Sequence, residues 1–189
     1  RYNIKYILNG SNYSTECVKN PLEIFYYGTD MKQIRDIYSR FGRNRLISYP
    51  FSSILFHKLY LKYFKRINVI KPLNNFKYIK SEAIKTLVDC YGWTPYPQKH
   101  FESRFTRFFE GYWLPTRFGF DTRRVQFSSL ILTGQMSRKE AIEKLKVSPY
   151  EGMNIDEEFE FIANKLDISV NELKKFHNMP KKYYKDFKN

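Results

Sequence analysis

Lys99-His100-Phe101-Glu102-Ser103-Arg104-Phe105-Thr106-Arg107-Phe108-Phe109-Glu110-Gly111-Tyr112 is the stretch on which the reading of this chain turns. Phe101, Phe105, Phe108 and Tyr112 recur at steps of four, three and four, the spacing that gathers side chains on one face of an α-helix. The segment therefore reads as a helix burying an aromatic stripe. His100, Arg104 and Arg107 keep those steps one position earlier, and Lys99, Ser103, Thr106 and Glu110 form the next row round. Two polar rows flanking a buried stripe set imidazole, guanidinium and carboxylate groups together at the rim of a groove. Arginine offers paired planar donors to a carboxylate or phosphate. An imidazole changes charge near neutral pH, so His100 is the candidate general acid or base, with Glu102 and Glu110 as weaker ones. For any single arginine the plainer reading is a solvated helix face with i,i+4 pairs.

Downstream, Asp121 is placed to cap a helix running to Thr133, with Gly134 as its stop. Arg123 and Arg124 then fall in the first turn, where the helix dipole disfavours cations, so an anion is expected beside them, either Asp121 or a ligand. Ser137-Arg138-Lys139-Glu140 and Ser169-Val170-Asn171-Glu172 fit the capping box, in which Ser and Glu side chains satisfy free backbone N–H groups of the first turn. They predict helices over 138–146 and 170–177, with another over 157–166, and Met179-Pro180 closing the last.

Upstream, Ser81 can cap a helix ending at Tyr91 before Gly92. Residues 67–73 read as an extended connector, and a boundary there divides the chain into 1–72 and 73–189. Before it, helices are expected over 51–66 and over 31–41, the latter stopping at Gly42, and residues 2–8 read as a strand closed by Asn9-Gly10. A helix from about Ser14 would follow. A strand leading through a Gly turn into a helix start suits an anion such as a phosphate, so Gly10, Ser11 and Asn12 are candidate nucleotide contacts and Glu16 a candidate magnesium ligand. A simple helix cap by Ser14 or Thr15 is the competing reading. The fold class that results is mainly α with a small α/β part.

With 33 Lys and Arg against 19 Asp and Glu, the 189-residue chain carries a formal charge of +14, which invites an anionic partner: nucleic acid, a membrane surface, a nucleotide or an anionic sugar. No apolar run approaches the roughly 20 residues of a membrane span and no signal peptide opens the chain, so a cytoplasmic protein is expected. Cys17 and Cys90 form no C-x-x-C pair, and with 3 histidines in the chain neither a zinc site nor a disulfide framework is supported.

The run from Tyr91 to Leu145, with Tyr91-Gly92-Trp93, Lys99 to Phe109, Gly111-Tyr112-Trp113-Leu114-Pro115, Phe118-Gly119-Phe120-Asp121 and Ser128 to Ala141, resembles the C-terminal region of the N-acetyl sugar amidotransferases. The Gly10 to Glu16 stretch is similar to that family as well, as are Pro149-Tyr150 and Pro180 to Tyr184. The resemblance implies the C-terminal part of a Rossmann-like PP-loop ATP pyrophosphatase domain followed by a helical region. It further implies ATP with magnesium, adenylation of an acetamido oxygen on an anionic N-acetylated sugar or nucleotide sugar, and ammonia from a glutaminase subunit, in lipopolysaccharide O-antigen or flagellin glycan synthesis. On that reading Lys99, His100, Glu102 and Arg104 are catalytic, Arg107, Asp121, Arg123 and Arg124 hold the sugar, and Gly10, Ser11, Asn12 and Glu16 meet the nucleotide or its metal.

The family's Ser-Gly-Gly-x-Asp-Ser phosphate loop and N-terminal cysteine cluster would both precede Arg1, so this chain alone is expected to be inactive. It departs from the family pattern at Pro97-Gln98 (Gly-Gly), Glu110 (Gln), Thr122 (Lys) and Gln126 (His). The rival readings are a tRNA-modifying PP-loop-type protein, disfavoured because the aromatics fall on core stripes rather than among exposed basic residues, and a non-catalytic remnant.

Overall fold

The computed structural model describes residues 3–43, 47, 49, 51, 53–96 and 98–189, and these are mostly helical, as the expected fold class requires. The order is β1 (Tyr6–Leu8), α1 (Tyr13–Glu16), α2 (Met31–Phe41), the π-helix π1 (Phe56–Phe64), β2 (Asn68–Ile70), α3 (Lys80–Tyr91), α4 (Arg104–Phe108), the π-helix π2 (Phe109–Phe118), α5 (Arg123–Leu132), α6 (Arg138–Lys146), α7 (Ile155–Lys165) and α8 (Val170–Asn178). Two compact units result, one of Arg1–Asn12, Asn20–Lys77 and Lys182–Asn189, the other of Tyr13–Lys19 and Tyr78–Lys181. Tyr13–Lys19 thus belongs to the second unit and Lys182–Asn189 to the first.

In the first unit, β1 and β2 pair in parallel with Tyr6 opposite Asn68 and Leu8 opposite Ile70. The stretch 67–73, expected as a connector, supplies β2; the expected strand over 2–8 is observed from Tyr6, and Tyr2 lies outside the described residues. α2 has the predicted bounds. Asp30 caps it, accepting from the backbone N–H groups of Lys32 and Gln33 at 3.0 and 3.3 Å, which satisfies donors the helix itself leaves open. Gly42 ends the helix in an extended conformation, φ −74°. A Cβ there would lie 2.3 Å from the Tyr38 ring, so close approach, not left-handed backbone, calls for glycine. The tail lies along α2: Gln33 donates to the Tyr184 carbonyl, Arg40 donates to the Asp186 carbonyl at 2.9 Å, and the Lys188 N–H donates to Asp36 at 3.0 Å. The helix expected over 51–66 is π1, where Phe56, Tyr60 and Phe64 stack successively at 5.0 and 5.9 Å.

The second unit is built on Phe108, Phe159, Ile162, Ala163 and Leu173, with Tyr112, Trp113 and Ile168 packed against them. Phe108 meets Phe159 edge-on at 5.1 Å, a favoured aromatic arrangement. The continuous helix expected from Phe101 does not form. Residues 98–103 turn, His100 takes φ +70°, and α4 begins only after Ser103, whose Oγ accepts the Thr106 N–H at 3.3 Å. Five residues later the turns widen into π2, with Pro115 inside it. The stripe breaks accordingly: Phe108 is 2% exposed but Phe105 is 48% exposed. Phe101 folds back instead against Gly111, where an added Cβ would sit 3.2 Å from its ring.

The capping signals fare better. Ser137 makes the full capping box with Glu140, Ser169 accepts from the Glu172 N–H, and Asn154 caps α7 two residues before the expected start. α3 begins at Lys80 without a cap from Ser81; Gln135 Oε1 accepts the Lys80 N–H at 2.8 Å in its place. Gly92 and Gly134 both take left-handed backbone and stop their helices as predicted. Among the described residues no helix is long and apolar enough to cross a membrane.

Candidate functional site

The arginines of the polar rows are held inside the second unit. Glu158, 4% exposed on the inner face of α7, accepts from Arg104 Nε at 2.9 Å and from Arg107 Nη2. Arg104 also lies 4.1 Å from the centroid of the Phe161 ring, a cation–π contact. A buried carboxylate requires paired cations, and these two supply them, so Arg104 and Arg107 join α4 to α7. Both stay partly exposed, with 39% and 35% of their side chains accessible. Glu158 escaped notice in the sequence, although a carboxylate four residues before the buried Ile162 was a legible sign of an inward-facing charge.

Asp121 and Arg123 form a second internal latch. Arg123, 8% exposed, puts Nε and Nη2 onto the Asp121 carboxylate, and donates from Nη1 to the Lys144 carbonyl at 3.3 Å and from Nη2 to the Val147 carbonyl at 2.8 Å. The Arg123 N–H also donates to Asp121 Oδ1 at 2.9 Å. The anion expected beside the basic first turn of α5 is therefore Asp121, and together the pair ties the start of α5 to the end of α6. Arg124, next along, is exposed and makes no ion pair among the described residues.

What remains for chemistry gathers around Glu110 on π2. The buried Thr122 hydroxyl donates to Glu110 Oε2 at 3.3 Å. His100, Lys99 and Glu102 bear on the same carboxyl electrostatically. Burial pushes the Glu110 carboxyl above its usual range, opposed by His100, the Thr122 hydrogen bond and Lys99. Lys99 in turn pairs with Glu16 of α1 at 2.7 Å. α1 is seated on α5, since Ser129 Oγ accepts the Val18 N–H at 3.0 Å and Thr133 Oγ1 donates to the Ser14 carbonyl at 2.9 Å. The wide turns of π2 and the left-handed backbone at His100 thus bring an imidazole, an ammonium and a carboxyl raised by burial together, a combination suited to holding a polar substrate and exchanging a proton with it. Pro97, part of the departure from the family pattern, lies outside the described residues.

The nucleotide candidates are divided between the two units. Gly10, Ser11 and Asn12 belong to the first unit and Glu16 to the second. α1 is four residues long, too short for a developed helix dipole, and the Ser11 N–H is taken by Asn9 Oδ1 at 2.7 Å. Glu16 faces Lys99, and among the described residues no group of three or more His, Cys, Asp or Glu is placed to hold a metal.

Glu110→Gln is expected to stabilise the protein at neutral pH. A carboxyl raised by burial opposes folding once ionised; the penalty is absent below the ordinary carboxylate pKa and complete above the folded-state one. Thermal melts across pH should therefore show the variant gaining about 1–4 °C near pH 7, with the gain vanishing as the pH falls through the ordinary carboxylate range. A gain that persists unchanged in acid would exclude charge burial as its cause.

Residues 102–189 match the family model described as LPS biosynthesis protein WbpG-like, C-terminal domain. No curated protein and no solved structure matches the chain. The resemblance drawn from the sequence, to a C-terminal portion of a lipopolysaccharide-related family, holds over these residues.

Proposed function

We propose, from the WbpG-like C-terminal domain carried by residues 102–189, that this chain is the C-terminal part of a cytoplasmic, ATP-dependent N-acetyl sugar amidotransferase of lipopolysaccharide synthesis. That match is the observation that carries the reading. In the reaction the acetamido oxygen of the sugar attacks the α-phosphorus of ATP, releasing pyrophosphate. Ammonia from a glutaminase partner then adds to the activated carbon, and AMP leaves with the former acetamido oxygen, giving an acetamidino sugar. The residues of this chain are assigned substrate holding, not the grip on ATP. Lys99 supplies positive charge for the anionic substrate; His100 and Glu110 are assigned to take a proton from the incoming ammonia. Glu102 bears on Glu110 through like charge. Arg104, Arg107, Asp121 and Arg123 act as the frame that fixes α4, α5 and α7 around them.

The test is the complete protein with its glutaminase, ATP, glutamine and a panel of N-acetylated nucleotide sugars. ATP should be converted to AMP and pyrophosphate, and one sugar should lose about 1 Da as oxygen is replaced by NH. ATP left intact with no mass change across the panel would refute the assignment.

A further inference from the structure

Gln33, Asp36 and Arg40 lie at steps of three and four on one face of α2, and all three read the main chain of another segment. Gln33 Nε2 donates to the Tyr184 carbonyl at 3.5 Å, Arg40 Nη1 donates to the Asp186 carbonyl at 2.9 Å, and Asp36 Oδ2 accepts the Lys188 N–H at 3.0 Å. Gln33 and Asp36 are 8% and 9% exposed, so these bonds satisfy polar groups that water does not reach. Two rings dock beside them. Tyr184 lies flat on Tyr26, centroids 4.7 Å and planes 4° apart. The Tyr26 hydroxyl in turn donates at 2.9 Å to Asp30, the residue that caps α2, so this platform is fixed to the helix start. Phe187 meets Phe41 edge-on at 6.4 Å and carries the Arg40 guanidinium 5.2 Å from its centroid, two favoured aromatic contacts.

The docked segment is shaped by its own residues. Asp186 Oδ2 accepts the Tyr183 N–H at 2.6 Å, and the Asp186 N–H donates to the Tyr183 carbonyl at 3.0 Å, closing a single turn over Tyr184–Asp186. Of residues 182–189, Tyr184 and Phe187 are half-buried and the rest exposed. Two inward anchors on either side of main-chain contacts are the form of a short recognition motif, in which the backbone bonds supply affinity and the anchors specificity. A turn that holds its own shape also loses little freedom on docking. Residues 179–183, which lead into it, form neither helix nor strand. An element carried on such a lead is readily exchanged between identical chains.

We propose that α2 with Tyr26 is a receptor for an aromatic-x-x-aromatic turn, filled within the chain by Tyr184 to Lys188 and open, when that segment is displaced, to the same turn on a second copy of the chain.

The test uses the full chain carrying Tyr184→Ala and Phe187→Ala, which vacates the receptor, and a labelled peptide of residues 181–189 followed by fluorescence anisotropy. One-to-one binding is expected with Kd on the order of 10–100 μM. Wild type should bind the peptide at least about tenfold more weakly, since its own segment competes at an effective concentration of about 1 mM. A peptide with Phe187→Ala should bind the vacated chain about thirtyfold more weakly, the loss of an anchor, whereas Lys185→Ala, at an exposed position, should leave Kd unchanged. The peptide has four lysines against one aspartate and the chain is +14, so diffuse charge attraction does not imitate this pattern. Mixed with a chain carrying Arg40→Ala, whose receptor is impaired and whose turn is intact, the vacated chain should form a one-to-one complex by light scattering. No peptide binding by a vacated chain of unchanged helical content, or equal affinity in wild type, would overturn the receptor. A mixture that stays unassociated well above the peptide Kd would overturn the exchange between copies. If the double variant loses its helical content, hydrogen exchange in wild type decides instead: excess peptide should strip protection from the Lys188 amide and leave the α2 amides protected, and unchanged protection at Lys188 would overturn the proposal.

Discussion

Phe159→Ala is expected to destabilise the second unit by about 3–5 kcal/mol, the range for truncating a fully buried phenylalanine. Phe159 is 3% exposed and meets the rings of Phe108, Tyr112, Trp113 and His177, so its loss removes apolar burial and leaves a void bounded by rings that α4, π2 and α8 hold in place. Such a void collapses poorly, which places the effect toward the upper end. Denaturant unfolding followed by tryptophan fluorescence, with Trp113 as the local reporter, should show a lower midpoint and a Tm fall on the order of 10 °C. Ile162→Val, in the same core, should cost only about 0.5–1.5 kcal/mol. A Phe159→Ala loss below about 1 kcal/mol would mean that these rings do not form the cooperative core.

Glu158→Ala is expected to be less disruptive than Phe159→Ala but still clearly destabilising. Removing one side of a buried ion pair costs about 3–5 kcal/mol when the stranded charge cannot reach water. Arg104 and Arg107 retain 39% and 35% side-chain exposure, so they can rehydrate, and about 2 kcal/mol is the fitting expectation after that discount. A double-mutant cycle between Glu158→Ala and Arg104→Ala should show strong coupling. The cycle also separates two roles for Arg104. If it positions α4 against α7, Arg104→Ala lowers Tm and lowers turnover of the complete protein in step. Lost turnover with Tm and coupling unaffected would instead return Arg104 to the substrate.

Local signals in the sequence carried the helix ends well, because a cap is settled within a few residues: Ser137, Ser169, Gly92 and Gly134 all sit where short-range chemistry puts them. β2 was hidden since its partner, β1, lies far off in the chain and each strand has only three residues. The helix start at Lys80 was hidden for a related reason: its acceptor comes from Gln135, not from a neighbour. The polar rows were legible as rich in charge, but not as parts of one helix, because periodicity assumes one helix type throughout and His100 and π2 both break it. The charges that spacing made prominent, Arg104, Arg107 and Arg123, serve the fold.

π2 gives the site a particular sensitivity to chain length. A wide-turned segment continuing a five-residue α-helix behaves as an α-helix carrying surplus residues. Deleting one residue between Phe109 and Leu114 would let ordinary i→i+4 bonding resume, and every side chain beyond the deletion would swing by about 100° around the axis. Trp113 and Leu114 would leave the core and Arg117 would lose the His177 carbonyl it now donates to. Substitutions here can be absorbed one contact at a time, whereas a single lost codon would change the phase of the whole segment, so related chains that keep this architecture should vary in residue type through 109–114 but not in length.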